Sequence, residues 1–256
     1  MISLVPVSAQ ITGAVDSYGT DDSRRTVRER VTPIPGDALP SHYSLLVSGP
    51  PGVGKFEFLL DLARTWIGAG ERVVFVTLDL SPAEVRDRGL ALGLQISEAE
   101  RNQFVFVDGY SANGPAPTES RGDRRAYTVS SYANLEGIAM TLQKAAAEVG
   151  PPARILFYTL STLFLHNSPP AIAKFLQIIT SRVKTSLGFI AYAVHEGVHE
   201  PTTMSLLRSL TDGVVELRFT PDMERELRVH HLRGRWVDPG WRPFQWEATA
   251  PLIGGA

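Results

Sequence analysis

Between residues 43 and 219, short apolar runs alternate with longer stretches in which apolar positions recur every three or four residues. The first pattern predicts buried strands and the second amphipathic helices. "YSLLVS", starting at Tyr43, reads as a strand, and "FEFLLDLARTWIGAG" as a helix closed by Gly68 and Gly70. "RVVFVT" is the next strand. "SPAEVRDRGLALGL" is a helix with Ser81 as N-cap, Pro82 at its first position and Glu84 at its third, a capping box. "QFVFVD" is a third strand, and residues 109 to 130 read as a long polar loop. "SYANLEGIAMTLQKAAAEVG" is a helix, "ARILFYTL" a strand, "PPAIAKFLQIITSRVKTSL" a helix, and "GFIAYAV" and "DGVVELRF" are strands. "RELRVHHLRGRW" and "WRPFQWEA" predict a closing antiparallel hairpin.

Strands that alternate with helices imply right-handed βαβ units. The expected fold is α/β: a RecA-like three-layer arrangement with a mostly parallel central sheet and a C-terminal antiparallel β extension. Residues 1–41, polar and proline-rich toward their end, form an N-terminal arm; 42–250 form one P-loop domain; 251–256 are a tail.

The strand–turn–helix at residues 45–62 carries the chemistry. In "GPPGVGK" a glycine-rich turn of Gly49, Pro50, Pro51, Gly52, Val53 and Gly54 leads into Lys55. Such a turn points backbone N–H groups at phosphate oxygens, the helix N-terminus adds partial positive charge, and the lysine reaches the outer phosphates. The pattern G-x-x-x-x-G-K-[ST] then fails at Phe56, where a hydroxyl would help to hold Mg²⁺. Glu57 follows; its charge complements the helix dipole. Against a phosphate about 4 Å away it would cost roughly 4 kcal/mol at an effective dielectric of 20.

This segment resembles the KaiC/RadA branch of RecA-like ATPases, with its GPPGTGKTTF-type loop, a strand ending in an acidic pair, and an S-P-E-type helix start. The resemblance continues through "ARILFYTLSTL", where that family has an apolar strand ending I-D-S-L, and through "SLTDGVVEL" to "LRVHHLRGRW", where it has L-x-V-x-K-M-R-G. Four segments in the right order span about residues 43 to 247. The resemblance implies a nucleotide site made of residues 49–57 and a Walker B position at Tyr158, where the family has aspartate. It assigns the catalytic acid to Asp79, with Leu80 in place of its acidic neighbour. The basic pair that touches a neighbouring subunit's phosphate falls on His231 and Arg233. Phe56 and Tyr158 together are degenerate metal-site positions.

Losing both magnesium elements argues against Mg²⁺ and against phosphoryl transfer. The expectation is a pseudo-ATPase that binds ATP or ADP and works as a regulatory or assembly protein, as a homo-oligomer (a ring, by resemblance) or with a protein partner. Two alternatives stay open: an interaction module with nothing in the loop, and an ATPase with a non-standard site around Asp79.

Composition narrows the rest. With 256 residues, 43% apolar and 20% charged, the chain has the make-up of a soluble globular protein. A net charge of -2 makes no electrostatic case for nucleic acid or an anionic membrane. No apolar run approaches a membrane span and the first residues lack the features of a secretory signal, so a cytoplasmic protein is expected. The absence of cysteine excludes thiolate sites. "HEGVH" at 195–199 matches the zinc pattern H-E-x-x-H but follows a strand and contains Gly197, so no zinc is expected. His230 and His231 should point to opposite faces of a strand. Arg124 and Arg125 read as solvated loop residues, with a pore lining as the alternative. Trp236, Trp241, Phe244 and Trp246 read as a C-terminal aromatic cluster, packing core or a contact with another subunit. Ser161 and Thr162 read as capping residues after the Walker B strand.

Overall fold

The computed structural model describes residues 39–113 and 126–245. The N-terminal arm up to residue 38, Arg124, Arg125, Trp246 and the tail lie outside them. The helices are α1 (Lys55–Gly68), α2 (Pro82–Ala91), α3 (Ile96–Ala99), α4 (Leu135–Val149), α5 (Leu160–Leu163), α6 (Pro169–Arg182) and α7 (Pro201–Leu210). The strands are β1 (Tyr43–Gly49), β2 (Val73–Thr77), β3 (Phe104–Asp108), β4 (Ala126–Thr128), β5 (Ala153–Tyr158), β6 (Gly188–His195), β7 (Gly213–Phe219), β8 (Arg225–Leu232) and β9 (Arg242–Pro243).

The strands form one sheet in the order β4-β3-β2-β5-β6-β1-β7-β8-β9. All neighbours from β4 to β7 run parallel, and β8 and β9 add antiparallel strands. The strands β2, β3 and β5 are apolar almost throughout because helices cover both faces of a parallel sheet. One core cluster sits under α4, α6 and α7 and includes Ile138, Leu142, Phe175 and Met204. The other sits under α1, α2 and α3 and includes Phe58, Trp66, Val85 and Ile96. This is the three-layer fold expected, with its antiparallel C-terminal extension.

Several elements differ from the sequence reading. The polar loop contains the short edge strand β4, which pairs with β3. The helix at Pro169 does not run unbroken to Leu187; its last turn widens into a π turn over Val183–Leu187. Helix α7 was not anticipated, because only Met204 and Leu207 are buried along it and the apolar signal is thin. The expected pairing of the last two segments is present, but it is short; the long antiparallel partner of β8 is β7.

A bulge corrects the reading of His230 and His231. Val214 pairs with His231 and Val215 with Val229, so His230 is the extra residue. A bulge breaks the alternation of faces, and the two rings lie 5.6 Å apart edge to face. The C-terminal aromatics also do not cluster. Phe244 is buried against Phe58 at 6.1 Å, Trp241 lies between the guanidiniums of Arg218 and Arg228, and Trp236 is 88% exposed.

Candidate functional site

Four neighbouring strands, β2, β5, β6 and β1, end on the same edge of the sheet. Their carboxyl ends are where ligands bind in open α/β sheets. Asp79 follows β2, Tyr158 ends β5, His195 ends β6, and the glycine-rich turn leaves β1.

The turn needs its glycines. A Cβ on Gly49 would come within 2.5 Å of the Leu217 carbonyl oxygen, and Gly54 caps α1 in the left-handed region with φ 108°. A Cβ on Gly52 would meet nothing within 4 Å, so the middle of the turn borders open space.

Lys55 is only 3% exposed. Its Nζ donates to the carbonyls of Gly49 and Pro50, each at 2.7 Å. Burial pulls the ammonium down from 10.5 to about 8; Glu196 and then Glu57 oppose that pull.

Phe56 turns the other way. It is 3% exposed and packs edge-to-face on Tyr158 at 5.2 Å and on Phe75 at 6.1 Å. The two positions that the resemblance gives to magnesium are therefore filled by two rings in contact. The Tyr158 hydroxyl is pushed up to about 12 by burial first, then by Asp79 and Glu57. A protonated phenol is a poor ligand for a hard cation that prefers carboxylate and water oxygens. These side chains do not fit Mg²⁺, whereas the glycine-rich turn and Lys55, the elements the resemblance gives to phosphate, are retained.

Asp79 is held in place. It accepts from Thr159 Oγ1 at 3.1 Å and from Thr162 Oγ1, and His195 Nε2 lies 4.0 Å from it. The His195 ring is held below its ordinary range by burial, then by Lys55, against the pull of Asp79. Its Nδ1 and the Ser48 hydroxyl are buried without a hydrogen-bond partner among the described residues. Ser161, expected to cap, instead accepts from the His195 backbone N–H at 2.8 Å and pairs with His199 Nε2 at 2.9 Å, while Thr159 is the N-cap residue of α5.

The "HEGVH" stretch is thus a strand end and a turn, as its sequence context indicated. Its residues belong to the loop site. The Glu196 N–H donates to Gly49 O at 2.9 Å, and its carboxylate pairs with Arg208 at 2.7 Å. Their place beside the loop follows from β6 pairing with β1, a long-range fact that the motif itself does not carry.

Arg233 lies at the opposite end of the sheet from this edge, and His231 pairs with Val214 beside Leu46, in the middle of β1. Arg233 donates through its backbone N–H to Asp212 O at 2.8 Å and through NH1 to the Asp212 carboxylate at 2.6 Å. Asp212 also accepts from Ser44 and Lys184, beside the first residues of β1. Seven residues of β1 separate the two ends, about 20 Å at roughly 3.3 Å per residue. Both side chains are exposed.

Among the described residues, no cluster of three or more His, Asp or Glu is placed to hold a metal ion, and no helix is long and apolar enough to cross a membrane.

Known proteins share this architecture. A KaiC-like protein from Pyrococcus horikoshii OT3 superposes with a TM-score of 0.63 at 14% identity, over 81% of this chain and 87% of that one. A UPF0273 protein of Aeropyrum pernix is 29% identical over 231 residues, 84% of this chain and 88% of the relative. The circadian clock oscillator protein KaiC of Rippkaea orientalis is 23% identical over 218 residues; these cover 82% of this chain but 38% of KaiC, so the chain spans well under half of that relative. Residues 43–217 match a family whose description reads "Family of unknown function (DUF7504)". The chain belongs to that family, on a RecA-like fold of the KaiC-like branch.

Proposed function

We propose that this protein binds a nucleoside di- or triphosphate in the β1–α1 turn without a divalent cation and without hydrolysing it, and that it acts as a regulatory or assembly protein. The observation behind this reading is the split within one turn of α1. The phosphate cradle and a buried lysine are kept, while Phe56 and Tyr158 close the metal positions against each other. Phosphoryl transfer rests on a metal to neutralise developing charge, so its loss removes turnover before it removes binding. The exposed His231 and Arg233, with the kinship to KaiC, support assembly of like copies.

A thermal-shift titration with ATP and ADP tests this, with Mg²⁺ or EDTA, alongside a phosphate-release assay. The expected result is a rise in melting temperature that is the same in EDTA, with phosphate release at background. At a ligand concentration of a hundred times Kd the stabilisation is about 2.7 kcal/mol. No shift at millimolar nucleotide sinks the binding reading. It would favour the second reading, an interaction module with an empty loop, which the contacts of Lys55 with its own turn support. Turnover abolished by both Lys55→Ala and Asp79→Ala would instead establish an ATPase.

A further inference from the structure

Without a divalent cation, the charge of a bound di- or triphosphate falls entirely on protein cations. Lys55 is one, on the inner side of the turn. A second cation sits against the Phe56 ring, where the sequence motifs gave no reason to look. The capping box of Ser81 and Glu84 and the N-terminal Pro82 set α2 directly after Asp79. The last turn of α2 then carries Arg88 to the Phe56 ring, with its guanidinium 5.4 Å from the ring centroid.

Arg88 is exposed, and among the described residues its guanidinium makes no ion pair or hydrogen bond. Its electrostatic neighbours are the hydroxyl of Tyr158 and the carboxylate of Glu84, one turn earlier on α2. The same Tyr158 hydroxyl also senses Asp79 and Glu57. A guanidinium stacked on an aromatic face is held in position while its planar N–H fork stays free. That fork matches phosphate oxygens in a way an ammonium does not.

We infer that Arg88, braced on the Phe56 ring, is a phosphate-binding residue that supplies the positive charge a divalent cation brings to an ordinary loop of this kind. The ligand class is a metal-free nucleoside di- or triphosphate. On this view Phe56 does more than close the metal position; it is the platform for the replacement cation. The inference rests on the nucleotide-binding reading above.

The test is isothermal titration of ADP, ATP and AMP into wild type, Arg88→Ala, Arg88→Lys and the control Arg101→Ala, in EDTA and in Mg²⁺. Arg101 is an exposed arginine at the far end of β3. The expected result is tight ADP and ATP binding by wild type and Arg101→Ala in EDTA. Arg88→Ala should bind both about tenfold more weakly, the value of one charge-assisted contact. Arg88→Lys should recover part of the loss, and AMP affinity should be unmoved. The melting temperatures of the ligand-free variants should match, since Arg88 is exposed. If wild type binds and Arg88→Ala binds equally well, the inference falls and nucleotide binding stands. If wild type binds no nucleotide in either condition, both fall. A loss of AMP affinity equal to that for ATP also overturns it, because a general effect on the site would then replace a contact with the outer phosphates.

Discussion

Lys55 and Phe56 are adjacent in sequence and sit in opposite environments. On the Lys55 side, a glycine-shaped turn holds a buried cation whose partners are two of the turn's own carbonyls. On the Phe56 side, three rings pack together: Phe56, Tyr158 and Phe75. On the proposed function, the phosphate half and the metal half of such a site are separable. That phosphate half rests on backbone and one lysine, so it survives changes at the turn's other side chains that the turn geometry tolerates. The metal half is made by side-chain oxygens from two distant segments, and an aromatic at each removes it.

The sharpest way to break this comparison is Phe56→Ala. If the rings are true core, the variant loses about 3–5 kcal/mol of stability in urea unfolding. A loss under about 1 kcal/mol would mean that the metal half is loosely filled.

A somewhat smaller effect concerns the other half. The Lys55 ammonium is held near 8 in the folded protein against 10.5 when exposed. Below about pH 8 it is charged in both states and the folded state carries the full cost of burying that charge. Between pH 8 and 10.5 the folded protein gives up the proton first, so wild-type stability rises with pH relative to Lys55→Met, which has no such group. The difference between the two stability curves should change by on the order of 3 kcal/mol across that window. A flat difference would place the ammonium in water instead of among Glu196, Glu57 and His195.

The smallest effect sharpens the link between α2 and the loop. Ser81→Ala removes the cap of α2 and should cost about 1 kcal/mol by chemical denaturation. Unchanged stability would show that α2, and Arg88 with it, is held by packing alone.

Much of this was legible from local pattern. The burial of β1, β2, β3 and β5, the periodicity of α1 and α4, and the capping box at Ser81 depend on residues within a few positions of each other. The loop was legible for the same reason, since strand, glycines and lysine are contiguous. Helix α7 and strand β4 were missed because one buries two residues and the other is three residues long at the sheet edge. The histidine pair was misplaced because a bulge is set by the register between β7 and β8, which alternation along one strand does not reveal.

By itself, the sequence determined the layered α/β class, the phosphate turn, and the absence of a hydroxyl and an aspartate from the metal positions. The tertiary structure decided what replaced them. Only the strand order β2-β5-β6-β1 brings Asp79, Tyr158, His195 and the turn to one edge. Only the packing of α2 on α1 lays Arg88 over Phe56. Side-chain chemistry is written residue by residue, but a site depends on which distant segments share an edge, and that is settled by burying two faces of one sheet at once.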